Sequence, residues 1–258
     1  MIIDGKALAD IILSSLKKDV EKLSCTPTLA VIQIGDNPAS LAYIKQKQKA
    51  AEIINANVII SNTMSDLERF NNDPSIHGVI IQRPVPVSIE KYHVRIQKDI
   101  DGFEKNTLYD VPVALAIHKI LKQINADLSK HIIVVGRGET AGKPIFQYVQ
   151  KLNCTTSQIF STSPNNTEFL KKADIIISCV GKKRVITSRD IKQGVILISV
   201  GIWRDGEGKL HGDYDEKDIK EKASWYTPTP KGVGPVNVAC LMQNLVKACM
   251  LTKGGIAL

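Results

Sequence analysis

The sequence predicts an α/β fold in two domains, and three observations lead to it. Short β-branched apolar runs alternate with segments of helical periodicity along the whole chain. The runs are continuous rather than alternating, as expected of strands covered on both faces of a mostly parallel sheet. At 258 residues the chain is at the length where a single core gives way to two.

In order, Leu8 to Leu23 carries apolar residues at helical spacing, and Thr28 to Ile34 is a β-rich run closed by Gly35. Asp36-Asn37-Pro38 is a helix start signal for Ala39 to Ile54. Asn57–Ile60 and Gly78–Gln82 read as two further buried strands. A second set opens with a helix at Pro112–Ile124, then a strand at His131–Val135, a glycine turn, and a helix at Lys143–Leu152. Thr155–Phe160, Ala173–Val180 and Val195–Val200 follow as strands, Gly206 and Gly208 mark a tight turn between Trp203 and Leu210, and a last helix covers Val236–Leu251. We therefore expect one domain from residues 1–110 with 237–258 returning to it, and a second from 111–236. A ligand-binding cleft between the two is the corresponding expectation.

Composition narrows the function. Hydrophobic residues make up 43% and charged residues 23%, ordinary for a globular protein. No apolar run approaches the ~20 residues of a membrane helix, and the first residues lack a signal-peptide layout, so a cytoplasmic protein is expected. The five cysteines are scattered without a C-x-x-C pair, which argues against a zinc site or a disulfide framework and reads as buried thiols in a reducing compartment. The net charge of +8 suits small anions better than nucleic acid, because the lysines are dispersed and aromatics are only 5%.

Five segments carry chemistry. The turn Gly136-Arg137-Gly138-Glu139-Thr140-Ala141-Gly142 lies between a strand and a helix, where glycines and free N–H groups accept a phosphate. Its G-x-G-x-x-x-G spacing is not the standard one, and a simple turn would look similar. Arg137 suits a phosphorylated ribose. Tyr43 and Lys47 are four apart on one helix face, an acid–base unit if buried and a common amphipathic pair if not. Gln82 ends a strand before Pro84 and Pro86, where ligands gather in open α/β sheets. Asp99 and Asp101 precede Gly102; they could shape a turn or present a carboxylate to an amino-heterocycle. Thr227 to Pro235 is a stiff loop with Pro230, Gly232 and Gly234, either a ligand loop or a linker.

Taken together, these segments resemble the bifunctional methylenetetrahydrofolate dehydrogenase/cyclohydrolases over nearly the whole chain. The shared motifs are G-D-N-P-A-S-x-x-Y-x-x-x-K (Gly35–Lys47), H-G-V-I-I-Q-x-P-x-P (His77–Pro86) and K-D-I-D-G-F (Lys98–Phe103). They continue as G-R-x-x-x-x-G-K-P (Gly136–Pro144), A-D-I-I-I (Ala173–Ile177) and T-P-x-P-x-G-V-G-P (Thr227–Pro235). The resemblance implies an N-terminal catalytic domain and a Rossmann-like dinucleotide-binding domain. It implies Lys47 as general acid/base, Tyr43 against the folate, Gln82 holding Lys47, and Asp101 on the pterin edge. Gly136, Arg137, Gly138, Ser161, Gly181 and Ile202 would take the dinucleotide, and Pro230 and Gly232 would shape the nicotinamide–folate pocket. NADP is the expected cofactor, with NAD the other candidate. No metal is implied, and a homodimer is.

The sequence departs from the family pattern in five places. Gly138 replaces a serine, Phe160 replaces a histidine, and Lys231 stands at a usual glycine. Val111-Pro112-Val113-Ala114 and Asn237 also differ from the usual residues. The first two remove polar groups beside the expected ribose phosphate and predict a reduced NADP preference. A family member with one activity, or a non-catalytic binder, are the alternatives; Lys47, Gln82 and Asp101 together speak against the second.

Overall fold

The computed structural model describes residues 1–85, 88, 91–152, 154–160, 163 and 166–253. The N-terminal elements are α1 (Gly5–Val20), β1 (Thr28–Ile32), α2 (Pro38–Ile53), β2 (Asn57–Ser61), α3 (Asp66–Asn72) and β3 (Gly78–Ile81). Then come α4 (Pro112–Gln123), β4 (Ile132–Val135), α5 (Gly142–Val149), β5 (Thr156–Ile159), α6 (Asn166–Lys172), β6 (Ile175–Ser178) and β7 (Ile196–Ser199). The chain closes with β8 (Ile202–Arg204), β9 (Leu210–Gly212), α7 (Glu216–Ile219), β10 (Trp225–Tyr226) and α8 (Val233–Lys253).

Two compact units result. One holds Ala9–Pro112 with the chain from Val238 onward; the other holds Met1–Leu8 with Val113–Asn237. In the first, β1 lies between β2 and β3 in a parallel sheet. Leu29 and Val31 face a cluster with Leu13, Leu16, Leu241 and Leu245, while Ala30 and Ile32 face another around Phe70. Coverage on both faces explains why β1 is apolar from Leu29 to Ile32.

β2 is an exception to the expected buried strand. It is one edge of the sheet, and Ile59 and Ile60 are 39% and 43% exposed, whereas β3 at the other edge is largely buried. An apolar run does not reveal which edge strand the rest of the chain covers.

The second unit carries a five-stranded parallel sheet in the order β10-β7-β6-β4-β5, plus the antiparallel β8–β9 hairpin. From β4 the chain moves out to β5, then crosses to β6 on the other side of β4. That reversal is a topological switch point, and it places the turns after β4 and β6 side by side. The first eight residues group here rather than with residues 9–110. Ile2 bridges Tyr226, and the Ile3 N–H donates to the Tyr226 carbonyl at 2.8 Å, which extends the sheet edge.

The cysteines require a correction. Cys25 and Cys249, 224 residues apart, have their sulfurs in bonding contact, with Cα atoms 7.3 Å apart. Sequence spacing cannot show a pairing made by the fold. A ring nitrogen of His77 completes a trio within 4.8 Å. The Thr28 N–H donates to His77 Nδ1 at 3.1 Å, so the proton of the neutral ring sits on Nε2 and no second lone pair remains for a metal. The trio is a disulfide beside an imidazole donor. Among the described residues no helix is long and apolar enough to cross a membrane.

Candidate active site

Helix α2 begins on a side-chain cap: Asn37 Oδ1 accepts the N–H groups of Ala39 at 2.9 Å and Ser40 at 3.2 Å. Pro38 occupies the first turn, where its missing N–H costs nothing. The cap fixes the register that turns Lys47 inward, one turn beyond Tyr43. Lys47 is only 8% exposed, and its Nζ donates to Gln82 Oε1 at 2.8 Å. Gln82 follows β3, and its Nε2 donates to the Arg83 carbonyl at 2.8 Å. That bond fixes the amide orientation, leaving only the oxygen to meet Lys47.

Burial holds the Lys47 pKa below the ordinary lysine value, and the charge of Asp101 opposes the shift. Burial raises the Asp101 carboxyl, opposed by Lys47 and then Arg83. The site thus holds an amine able to exchange protons, beside a carboxylate whose charge acts on it.

The two aspartates of the Lys98–Phe103 segment divide the roles left open by sequence. Asp99 makes the turn: Oδ1 accepts the Gly102 N–H at 3.1 Å and Oδ2 the Glu104 N–H at 2.9 Å. Gly102 has φ +75, and a Cβ there would lie 2.9 Å from the Tyr109 carbonyl oxygen. Asp101 is left to the site. Asn244 of α8 fastens the segment, donating to the carbonyls of Ile100 at 2.9 Å and Asp110 at 3.0 Å. Sequence reading missed Asn244, because nothing local links it to a segment 144 residues away.

In the other unit, Gly136 has φ +106, and a Cβ there would lie 3.0 Å from the Cys179 carbonyl oxygen. A Cβ on Gly142 would approach the Gly136 carbonyl oxygen to 2.5 Å. These two glycines make the cradle; Gly138 has nothing within 4 Å of such a Cβ and is not sterically required. Gly181 has φ +73, with its Cβ position 3.0 Å from the Ile202 carbonyl oxygen, so these two candidates are neighbours. Arg137 is exposed, and its guanidinium lies 4.5 Å from the centre of the Phe160 ring. The residue that removed a polar neighbour therefore supplies a cation–π shelf instead. Ser161, and Pro86 of the strand-end motif, lie outside the described residues.

The loop expected over Thr227–Pro235 ends sooner, because α8 starts at Val233; in the part before it a Cβ on Gly232 would collide with the Pro228 carbonyl, and Pro230 follows a cis peptide bond. Lys231 holds φ +78, a left-handed conformation that suits the glycine it replaces.

Residues 3–101 match the tetrahydrofolate dehydrogenase/cyclohydrolase catalytic domain, and residues 112–253 match the NAD(P)-binding domain of the same family. The bifunctional protein FolD of Wolbachia pipientis wMel is 38% identical, across 98% of this chain and 97% of its own. That of Bacillus subtilis is 39% identical, across 97% and 98%. The crystal structure of the FolD dehydrogenase/cyclohydrolase from Campylobacter jejuni superposes with a TM-score of 0.91 at 30% identity, covering 97% of this chain and 99% of that one. The Trypanosoma brucei FolD, solved with NADP cofactor and inhibitor, superposes at 0.89 and 26% identity, with 97% of each chain covered. With both family domains matched over almost its full length, this chain belongs to the tetrahydrofolate dehydrogenase/cyclohydrolase family.

Proposed function

We propose that the chain oxidises 5,10-methylenetetrahydrofolate to the 5,10-methenyl form with NADP, and hydrolyses the methenyl form to 10-formyltetrahydrofolate. The observation that carries this reading is Lys47, buried, bonded to Gln82 and electrostatically coupled to Asp101. NADP, when bound, supplies the hydride acceptor. For that step the chain need only position the two ligands. Gly136 and Gly142 provide the close-approach turn, and Gly181 and Ile202 the adjoining one. In the hydrolytic step Lys47 Nζ, favoured as the neutral amine by burial, takes a proton as water adds to the methenyl carbon. Gln82 keeps that amine in place, Tyr43 orients the folate and Asp101 accepts from its amino-pyrimidine edge; in the dinucleotide unit, Pro230 and Gly232 shape the nicotinamide pocket. An absorbance assay with methylenetetrahydrofolate and each cofactor, followed for methenyl accumulation, tests the reading. Absence of any cofactor-dependent methenyl signal would sink it.

We expect NADP to be preferred over NAD, because the Phe160 shelf presents Arg137 and a guanidinium pairs well with a 2′-phosphate. Arg137→Ala should lower the NADP/NAD ratio of kcat/KM by about tenfold or more, the low end for hydrogen bonds to charged groups. NAD turnover should be nearly unchanged. An unaltered ratio means that Arg137 does not meet the ribose phosphate. The proposed assembly is a homodimer in the cytoplasm. The exposed apolar edge at Ile59 and Ile60 supports self-association, and the native mass by light scattering tests it.

A further inference from the structure

We infer that Asp213 is a positioning residue for the dinucleotide, acting through the backbone of residues 180–182. The inference rests on the dehydrogenase reading and concerns a residue outside the sites assigned so far. Asp213 follows the β8–β9 hairpin and is fully buried. Its Oδ2 accepts the Ser178 hydroxyl at 2.6 Å and the Val180 N–H at 2.9 Å. Its Oδ1 accepts the N–H groups of Gly181 at 2.7 Å and Lys182 at 3.0 Å. Three successive peptide N–H groups converging on one point form an anion-binding concavity. Here the protein's own carboxylate fills it. The turn after β6 is thereby held with Gly181 against Ile202, on the switch-point side of the sheet.

The same residue reaches the second cofactor-side segment. The Asp213 N–H donates to Ser199 Oγ at 2.9 Å, and the Ser199 N–H donates to Thr227 Oγ1 at 2.8 Å. Tyr214 Oη donates to the Thr227 carbonyl at 2.7 Å, and the Thr227 N–H returns to Tyr214 Oη at 3.1 Å. Ser178, Ser199, Asp213 and Thr227 are all buried, so a break in this chain leaves donors without water to replace the lost partner. The Asp213 carboxylate therefore sets the Gly181 turn, while its backbone N–H joins a separate buried chain that ends at Thr227.

The test exploits the separation of the two chemistries. Lys47, Gln82 and Asp101 lie in the other compact unit, so hydrolysis of methenyltetrahydrofolate without dinucleotide reports on general integrity. Asp213→Asn keeps the shape but turns one acceptor oxygen into a donor that faces N–H groups. NADP binding by calorimetry should weaken at least about tenfold, because two donors lose their acceptor. Methenyl hydrolysis should stay within about twofold of wild type. NADP affinity within twofold of wild type overturns the inference, and so does a parallel loss of both properties, which marks Asp213 as a general fold residue. Should Asp213→Asn not fold, Ser178→Ala removes one donor to the carboxylate, the hydroxyl that meets Asp213 Oδ2 at 2.6 Å. It should weaken NADP binding about threefold with hydrolysis unchanged, and unchanged binding again overturns the inference. Wild-type protein that takes up no NADP sinks the dehydrogenase reading and the inference together; a binding wild type with unaffected variants sinks the inference alone.

Discussion

Lys47→Met is expected to lower methenyltetrahydrofolate hydrolysis by more than about two orders of magnitude, the usual scale of a lost general acid–base group. Methionine keeps most of the length and apolar stem of lysine and removes only the titrating amine. The site should tolerate it, because a buried ammonium is costly to desolvate and a thioether is not. The one group left without its partner is Gln82 Oε1, which now accepts from Lys47 at 2.8 Å. Hydride transfer depends on positioning rather than on a proton at Lys47, so methenyl formation should fall much less than hydrolysis. The split between the two rates, measured on one preparation of folded variant, is the diagnostic quantity. Hydrolysis close to the wild-type rate would reduce Lys47 to a structural lysine.

What could be read from the sequence follows the range of each signal. β1, β4, β6 and β7 were legible because both faces of each strand are covered, and that writes an unbroken apolar run. The helices of seven residues, α3 and α6, and the two-residue β10 are shorter than any periodicity window and went unread. β2 was read as buried, since sheet order is decided by strands distant in sequence. At the site, helical spacing paired Lys47 with Tyr43 and a strand end singled out Gln82, but the burial of Lys47 and its bond to Gln82 could not be told from an amphipathic pair and an incidental glutamine. The division of labour between Asp99 and Asp101 was not, because both are acids in one turn and only the hydrogen bonds of Asp99 separate them. Asn244, Asp213 and the Cys25–Cys249 pair share one cause of invisibility. Each acts on a partner brought close by the fold, with no local pattern to announce it.

Asp101→Ala should weaken folate binding by about 10- to 150-fold while leaving the dinucleotide affinity nearly unchanged. The range corresponds to the ~1.5–3 kcal/mol of a hydrogen bond involving a charged group. The segment should keep its shape, since Asp99, Gly102 and Asn244 hold the turn without Asp101. Two pH effects should accompany the loss. Burial raises the Asp101 carboxyl above its ordinary value, so wild-type folate affinity should begin to fall at a pH above the usual carboxylate range. The variant should lack that limb. Asp101 also raises the Lys47 pKa against the larger lowering by burial. Removing its charge lets the lysine fall further, so the limb of the hydrolysis profile set by Lys47 deprotonation should move to lower pH at saturating folate. Calorimetry with each ligand and a pH–rate profile give all three readouts. Equal weakening of folate and dinucleotide, with no displacement of the profile, would assign Asp101 to the turn rather than to the pterin.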